Sequence, residues 1–337
     1  MKAFFHPAQD QHIPQTYFTR GQMRQPQEVP DRTGQMLEGL KEMGIPVLQP
    51  ADQGAAPISK VHDLGYLRFL ESAHRRWMKM DDWGEEVISN IFVRSPNHLT
   101  GILAEAARYQ ADGSCPIGAN TWNAAYWSAQ TALGAADALI AGDRTAYAVC
   151  RPPGHHARRD AAGGFCYLNN AAIAAEHLKT RLPRIAILDT DMHHGQGIQE
   201  IFYDRSDVLY ISIHGDPTNF YPVVTGFENE RGEGDGFGYN INMPMPHGAS
   251  EDDFFDKLDE SLAALKLYQP DVLVLALGFD IYQNDPQAKV SVTSEGFCRL
   301  STHIRQLGLP TLVVQEGGYD LETLSENVQQ FFKGLAG

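Results

Sequence analysis

Basic residues are scarce for a chain of this length. The 337 residues include 27 lysines and arginines against 42 aspartates and glutamates, which gives a formal net charge of −15 at pH 7. Proteins that bind nucleic acid need clustered positive charge, so this composition argues against a nucleic-acid partner. The negative charge would suit a cationic partner, but it would equally serve the solubility of an ordinary cytosolic enzyme.

Cysteines are also few, and long hydrophobic runs are missing. The four cysteines include no Cys-x-x-Cys pair, which favours reduced thiols in a cytosolic protein. Residues 1–7 lack the apolar run of a signal peptide, so we expect a cytoplasmic protein. No apolar run reaches the roughly 18 residues that a membrane helix needs, so we expect no membrane partner.

The sequence instead alternates short apolar runs with amphipathic or alanine-rich segments. Residues 185–188, for example, predict a buried strand, and residues 121–141 predict a helix. This alternation predicts an α/β fold in which helices cover both faces of a parallel sheet, as a single domain over 1–337. The segment at about 83–116 has little periodicity, and we expect it to be a long loop insertion with a functional or interface role.

Four of the predicted strands end in polar residues. These ends lead into His155-His156, into Asp189 through His194, into Asp280 and into Glu316 through Tyr319. Parallel strands place their carboxyl ends at one edge of the sheet, where α/β proteins bind their ligands. Four such ends in one sheet therefore predict an active site at that edge.

Three of these residues are suited to bind a metal ion. Asp191, His193 and Asp280 would supply two carboxylates and one imidazole, and three protein ligands with an open position are typical of catalytic zinc. The same oxygen-rich set would also hold Fe²⁺, Co²⁺ or Mn²⁺. Strand alternation places Asp189 on the same face, where it could orient an imidazole. The alternatives are a polar turn after the strand and a helix cap at Asp280.

Other residues in these segments suit catalysis or substrate binding. His155 and His156 follow a rigid Pro-Pro-Gly turn and could supply a general base beside a metal, or could be metal ligands themselves. The Tyr319 phenol, after two glycines, could stabilise an oxyanion, or it could be a packed turn residue. Phe165 and Tyr221 could line an apolar channel or simply pack within their loops.

Five motifs in the sequence resemble, in the same order, those of the zinc-dependent histone deacetylase superfamily. They are RPPGHHA at 151–157, GGFCYLNNAAIA at 163–174, ILDTDMHHGQG at 187–197, LGFD at 277–280 and EGGY at 316–319. The segment 121–139 and the residues before it look most like the bacterial acetylpolyamine amidohydrolase branch. The resemblance implies the arginase–deacetylase fold, with a single eight-stranded parallel sheet and helices on both faces.

The resemblance also implies roles for individual residues. The matching zinc ligands are Asp191, His193 and Asp280. The matching catalytic groups are His156 as general base, His155 as its partner and Tyr319 as the oxyanion-stabilising residue. The residues that match the acyl-lysine channel are Gly164, Phe165 and Tyr221.

Family members also bind potassium, and the resemblance carries two potassium sites over to this chain. The groups that match the first site are the side chains of Asp189 and Ser212 and the backbone oxygens of Asp191, His193 and Ile213. The second, more peripheral site would use backbone near Phe202, Arg205, Val208 and Tyr239.

Three positions depart from the family pattern. Gln196 stands where relatives usually carry Asp or Asn, so His156 would have a neutral partner. Tyr221 replaces a phenylalanine of many relatives and adds a hydroxyl at the channel wall. Ser114 stands where relatives place a carboxylate at the channel rim, and Asp112 lies two residues before it. Which acidic residue, if any, would bind a distal substrate ammonium therefore stays open.

We therefore expect a metal-dependent amidohydrolase that removes acetyl groups from polyamines or diamines such as acetylputrescine, acetylcadaverine and acetylspermidine. The expected cofactors are Zn²⁺, with Fe²⁺ or Co²⁺ as alternatives, and structural K⁺. The expected partners are a small cationic acetylated amine and a second copy of the chain bound through the segment 83–116. The alternatives are a protein or acetyl-lysine deacetylase, an arginase-like ureohydrolase with two manganese ions, and a non-catalytic acyl-amine binding protein.

Overall fold

The strands form one large sheet and two small ones. The computed structural model describes residues 1–91, 93 and 99–337. The strands are β1 Lys2–Phe4, β2 Tyr17–Thr19, β3 Gln22–Arg24, β4 Val47–Leu48, β5 Thr145–Ala148, β6 Ile185–Asp189, β7 Val208–Gly215, β8 Asn240–Met245, β9 Ala249–Ser250, β10 Val272–Leu277, β11 Val290–Ser291 and β12 Thr311–Gln315. Over the described residues, eight of them form a parallel sheet in the order β4-β1-β5-β12-β10-β6-β7-β8. The predicted eight-stranded parallel sheet is confirmed.

Helices connect most of these strands. They are α1 Asp31–Glu42, α2 Leu64–Trp77, α3 Ile102–Tyr109, α4 Thr121–Ile140, α5 Asn170–Leu178, α6 Gln196–Phe202, α7 Glu251–Tyr268, α8 Ser294–Gln306 and α9 Leu324–Ala336. Helix α7 begins after a capping box in which Ser250 and Asp253 each bond the backbone N–H of the other. No helix among the described residues is long and apolar enough to cross a membrane.

The sheet separates two hydrophobic cores, and successive strand residues enter opposite ones. Ile187 of β6 packs into the core formed with α2, α4 and α5, whereas Ala186 and Leu188 pack into the core formed with α1, α7, α8 and α9. This alternation is the period of two expected for a β-strand. Because both faces are covered, every residue of β6 is buried and the strand consists of apolar residues up to its last position.

One feature differs from the sequence-based expectations. The antiparallel pair β2–β3 was not predicted, because its residues are mostly exposed and lack apolar alternation. Within the predicted insertion at 83–116, α3 occupies Ile102–Tyr109, and an isolated bridge joins Val87 to Ile117. Residues 92 and 94–98 of that segment lie outside the described residues.

The four predicted strand ends belong to neighbouring strands. β5, β12, β10 and β6 lie side by side in the middle of the sheet, so the polar residues after them meet at one edge. Strand β6 ends at Asp189, however, and the chain turns at once. Strand alternation therefore does not extend to Asp191 and His193, and their positions are set by the turn.

Candidate active site

Asp191, His193 and Asp280 meet beyond the carboxyl ends of β6 and β10. Their ligand atoms all lie within 4.8 Å of one another. The Nδ1 atom of His193 lies 3.1 Å from Oδ2 of Asp280 and 3.3 Å from Oδ1 of Asp191. All three residues are buried, and two carboxylates with one imidazole form a donor set for a divalent cation.

The charges in this cluster are those that a cation would balance. Burial opposes protonation of His193, but hydrogen bonds to Asp191 and Asp280 outweigh it and raise the pKa of His193 to about 9. Burial and the neighbouring Asp191 carboxylate raise the pKa of Asp280 to about 7. Without a metal, bound protons must offset the repulsion between the two buried carboxylates. A divalent cation would take the place of those protons, so the cluster fits a metal ion.

Backbone groups fix the two carboxylates. The Met192 N–H donates to Oδ1 of Asp280 at 2.9 Å, and the Gly317 N–H donates to Oδ2 of Asp191 at 2.7 Å. A Cβ atom at Gly317 would lie 2.5 Å from Oδ2 of Asp191. Glycine is therefore required there because the backbone approaches the ligands this closely.

His155 faces carboxylates. Its Nδ1 lies 3.0 Å from Oδ2 of Asp189, and its Nε2 lies 3.6 Å from Oδ1 of Asp191. Burial opposes protonation, but the charges of Asp191 and Asp189 outweigh it and raise the pKa of His155 to about 10. The Tyr210 hydroxyl also donates to Oδ2 of Asp189, at 3.0 Å. Sequence reasoning does not single out Tyr210, because an aromatic residue inside a buried strand is ordinarily core.

His156 faces a neutral amide. Its Nδ1 lies 2.6 Å from Oε1 of Gln196, the first residue of α6. Burial, and then the nearby His155 and His193, lower the pKa of His156 well below its usual range. A neutral imidazole that donates through Nδ1 keeps a lone pair on Nε2 and can accept a proton there.

Tyr319 lines a cavity that also reaches His156 and His193. Two residues that sequence reasoning missed, Arg32 and Asp285, hold Tyr319 in place. Burial raises the pKa of the Tyr319 phenol well above its usual range, so the hydroxyl keeps its proton. The Arg32 guanidinium carbon lies 4.8 Å from the centroid of the Tyr319 ring, and Arg32 donates to the carbonyls of Gly318 and Glu316, each at 2.6 Å. Oδ2 of Asp285 accepts from the Tyr319 N–H at 2.6 Å.

Glu316 is a further buried acid near the histidines that sequence reasoning left without a role. Its Oε2 accepts from the N–H groups of Gly154 and His155, at 2.6 and 3.0 Å. It also shares a cluster with the ring of His155 and the thiol of Cys166. The first two contacts fix the turn before the paired histidines, so Glu316 carries out a positioning role that its place in the EGGY motif alone does not reveal.

A narrow cavity of about 170 Å³ leads to His156, His193 and Tyr319. Phe165 and Tyr221 line it, as do Gly164 and Ser114. A side chain at Gly164 would collide with the His156 ring, so the wall and the candidate base are in direct contact. Residues of the β2–β3 pair and of other loops form the outer part: Tyr17, Thr19, Arg20, Arg24, Gln27, Pro286 and Gln287.

Asp112 lies behind this wall and is already engaged. Its Oδ2 accepts from the Tyr221 hydroxyl at 2.7 Å and from the Gly164 N–H at 3.1 Å. Its Oδ1 accepts from the Ser114 N–H at 2.8 Å and from the Ser114 hydroxyl. Glu105, another acid near the rim in sequence, forms an ion pair with Arg76.

The residues matched to potassium sites also fall near one another. Asp189 and Ser212 are paired across β6 and β7 in the sheet register, and Ile213 follows on β7. The Ser212 hydroxyl lies 2.8 Å from Nδ1 of His214. The groups of the second site lie at the ends of α6, β7 and β8. There the Arg205 N–H donates to the Phe202 carbonyl at 3.1 Å, and the Tyr210 N–H donates to the Tyr239 carbonyl at 2.9 Å.

Known proteins resemble this chain over nearly its whole length. The sequence model of the histone deacetylase domain matches residues 26–335. An acetylpolyamine amidohydrolase of Burkholderia pseudomallei is 62% identical over 336 residues, which cover 99% of this chain and 98% of that protein. Acetylpolyamine amidohydrolase 1 of Pseudomonas aeruginosa is 41% identical over 333 residues, covering 97% and 96%. The crystal structure of the Burkholderia pseudomallei acetylpolyamine aminohydrolase superposes with a TM-score of 0.99 at 62% identity, covering 100% of this chain and 99% of that one.

Proposed function

The chain belongs to the histone deacetylase family and is a deacetylase, and on this premise we propose that it hydrolyses the acetamide bond of small N-acetylated polyamines or diamines. Acetylputrescine, acetylcadaverine and acetylspermidine are the proposed substrates, and acetate and the free amine are the products. The observation that carries the proposal is the meeting of the Asp191, His193 and Asp280 cluster with His156 and Tyr319 at the end of one narrow cavity.

We propose that Zn²⁺ binds at Asp191, His193 and Asp280, since the family is generally zinc-dependent and the donor set also suits Fe²⁺ or Co²⁺. Bound there, a divalent cation supplies Lewis acidity to the acetamide carbonyl and to the attacking water. Structural K⁺ is proposed at Asp189 and Ser212. Metal analysis of the purified protein, before and after chelation, tests both ions, and one divalent ion per chain is expected.

His156 is the proposed general base. Its Nε2 takes a proton from water while the water oxygen bonds to the acetamide carbon. The carbonyl oxygen gains the negative charge, and the Tyr319 hydroxyl donates a hydrogen bond to it. The low pKa of His156 keeps the imidazole neutral and ready to accept a proton at pH 7.

Collapse of the tetrahedral intermediate breaks the carbon–nitrogen bond. A protonated histidine, His156 or its neighbour His155, gives a proton to the leaving nitrogen. The second water proton, left on the acetic acid, passes to the released amine, so the products are acetate and an ammonium ion. Asp189 holds His155 through its Nδ1. One water has then been consumed. His156 is back in its starting state if it was the donor, whereas donation by His155 requires a proton transfer from His156 to His155 to complete the cycle.

The cavity wall supports a linear substrate. Phe165 and Tyr221 line the path to His156, and flat rings on either side suit an unbranched alkyl chain. Asp112 and Glu105 are not available to bind a distal ammonium, because Asp112 accepts from Tyr221 and Gly164, and Glu105 pairs with Arg76. A linear diamine would therefore be held by its acetamide and its alkyl chain.

Arg20 and Arg24 favour a second candidate substrate. Both line the outer cavity and both are exposed, so they would attract a carboxylate and repel an ammonium. Acetyl-lysine, free or in a peptide, carries carbonyl or carboxylate oxygens at that end. Acetyl-lysine deacetylation is therefore the alternative function.

Acetylcadaverine and Nε-acetyl-lysine differ only in the α-carboxylate, so together they separate the two candidates. Acetate release should be faster from acetylcadaverine if the polyamine proposal holds. A higher kcat/KM for acetyl-lysine that disappears in Arg20→Gln/Arg24→Gln would favour the alternative. Absence of acetate from both compounds, and from acetylated polyamines and peptides, would contradict the proposed function.

We also propose that residues 1–337 form one deacetylase domain and that two copies associate through the segment 83–116 as a cytoplasmic homodimer. The support is that this segment lies close to the cavity: Ser114 lines it, and Asp112 contacts its wall. A partner bound there would narrow access for bulky proteins. Sedimentation of the full chain should give the mass of a dimer, and a monomer at all concentrations would refute it.

A further inference from the structure

A continuous hydrogen-bonded chain connects the cavity rim to the candidate base. Asp112 Oδ2 lies 2.7 Å from the Tyr221 hydroxyl, which lies 3.0 Å from Nε2 of Gln196. Oε1 of Gln196 lies 2.6 Å from Nδ1 of His156. Residues of four separate segments therefore form one chain of three bonds, which we call the Asp112 relay: Asp112, Tyr221, Gln196 and His156.

The outer end of the Asp112 relay has a fixed polarity. Four donors point at the Asp112 carboxyl group: the N–H and hydroxyl of Ser114, the N–H of Gly164 and the hydroxyl of Tyr221. An ionised carboxylate has about four lone-pair sites and no donor. All its sites are used, so Asp112 can only accept, and Tyr221 must donate to it.

The direction of the Tyr221–Asp112 hydrogen bond determines the direction of each following bond in the Asp112 relay. Because the Tyr221 proton points at Asp112, the Tyr221 oxygen faces Gln196 as an acceptor, and Gln196 must present its NH₂ group to it. The Gln196 carbonyl then necessarily faces His156. A carbonyl can only accept, so Nδ1 of His156 must carry the proton and Nε2 must be bare.

We propose that Asp112 is a positioning residue that fixes the tautomer of His156 through Tyr221 and Gln196. A glutamine alone could not do so, because its amide can turn by 180° and present either a donor or an acceptor to the imidazole. Asp112 and Tyr221 prevent this rotation of the Gln196 amide, because the Tyr221 oxygen requires a donor from Gln196. The inference rests on the proposed function, in which Nε2 of His156 is the atom that accepts the proton.

The surroundings of Tyr221 agree with this assignment. Burial and the nearby Asp112 carboxylate raise the pKa of the Tyr221 phenol well above its usual range, so it keeps the proton that it donates. Its ring lies edge-on to His156, with centroids 4.8 Å apart. The ring thus forms the cavity wall, while the hydroxyl is occupied on both sides and is not free to bind substrate.

The test combines kinetics with a direct measurement of the tautomer. The zinc-loaded full chain is labelled with ¹⁵N-histidine, and His156 is assigned by the signals missing from His156→Ala. In the wild type, Nδ1 should show the shift of a protonated ring nitrogen and Nε2 that of a bare one. In Tyr221→Phe, both shifts should move toward an average, and kcat for acetylcadaverine should fall roughly five- to tenfold with little change in KM.

Three further variants make the result specific. Asp112→Asn should act like Tyr221→Phe, and the double variant should lose little more, because either change alone breaks the same chain. Gln196→Met removes the middle member at similar volume and should also release the tautomer. Tyr66→Phe is the matched control: it removes another buried hydroxyl, which donates to the Tyr167 carbonyl at 2.7 Å, and should leave both readouts unchanged.

The outcomes separate this inference from the proposed function. Unchanged His156 shifts in Tyr221→Phe and Gln196→Met would overturn the inference, even if kcat fell, because the tyrosine would then act on the substrate directly. A main effect on KM would overturn it in the same way. If the wild type released no acetate while the shifts still moved as expected, the tautomer assignment would hold and the proposed function would fail.

Discussion

The environments of His155 and His156 differ although the two rings lie only 3.8 Å apart. His155 bonds to the Asp189 carboxylate of β6, and His156 bonds to the Gln196 amide at the start of α6. The pKa of His155 is raised to about 10, and that of His156 is lowered well below its usual range. Two identical, adjacent side chains thus acquire opposite proton affinities from partners 34 and 40 positions away in the chain.

The largest expected effect follows from removing the neutral member of the pair. His156→Ala should reduce kcat by roughly 10²- to 10⁴-fold, because it removes the proposed base that takes the proton from water. His155→Ala should cost less, because in our proposal His155 is the partner of the base. Steady-state kinetics on acetylcadaverine, with metal content checked in each variant, measure the difference. Equal losses would mean that the two histidines share the base function.

Tyr319→Phe should reduce kcat by roughly 10²- to 10³-fold, because one oxyanion donor is removed from a buried site. The ring is kept, so KM should change little. This variant sharpens the histidine comparison, since neither His155 nor His156 should be able to replace the missing donor. Near-normal turnover in a metal-replete Tyr319→Phe protein would exclude Tyr319 as the oxyanion donor.

His62 extends the contrast to a histidine outside the site. Its Nε2 accepts from the Asn169 N–H at 2.9 Å, and burial lowers its pKa from 6.5 to about 4. Between pH 6.5 and pH 4 the unfolded chain therefore binds a proton at His62 that the folded chain does not bind. The contribution of neutral His62 to the unfolding free energy is complete above pH 6.5 and is lost as the pH falls toward 4. The full difference corresponds to about 3 kcal/mol.

Urea unfolding at pH 7 and pH 5 measures the contribution of His62. Between these pH values, the wild type should lose about 2 kcal/mol more of its unfolding free energy than His62→Gln loses. Glutamine can still bond to Asn169 but does not titrate. The other buried histidines are present in both proteins and cancel in the comparison. Parallel losses in the two proteins would show that His62 is not held neutral.

The smallest expected effect comes from making the two histidines alike. Gln196→Glu would place a carboxylate beside His156, which favours the protonated ring and raises its pKa by about one unit or more. The acid limb of the pH–kcat/KM profile should then move to higher pH, with activity recovered in alkaline buffer. The conservative Gln196→Asn serves as the neutral control. An unmoved acid limb would mean that His156 is not the titrating base.

The fold could largely be predicted from sequence, because its main patterns are local. The all-apolar β10, the alanine-rich α4 and the capping box before α7 each lie within one short segment. Repeated strand–helix alternation then requires parallel strands and a common carboxyl edge. The mostly exposed β2–β3 pair escaped prediction, since Tyr17 is its one buried residue and no apolar alternation marks its strands.

The candidate site could be predicted only where polar residues lie in the segments that follow strands. Asp191, His193, Asp280, His156 and Tyr319 do so, and the structure brings them together. Arg32, Asp285 and Tyr210 reach the site from a helix, a loop and a strand interior, where an arginine, an aspartate or a tyrosine has many ordinary roles. Their contacts depend on tertiary packing, which no spacing in the sequence encodes.

The Gln196 position has an evolutionary consequence. Codons for glutamine and glutamate differ only in their first base, so a single nucleotide change would exchange the amide beside His156 for a carboxylate. With His156 as the base that we propose, the pH range of the enzyme would therefore be a trait that drift and selection can alter in one step. Gly164 and Gly317 offer no such route, because any side chain there would collide with His156 or Asp191. Within one site, the pKa of His156 could therefore change through a single substitution, whereas the backbone positions at Gly164 and Gly317 could not accept a side chain.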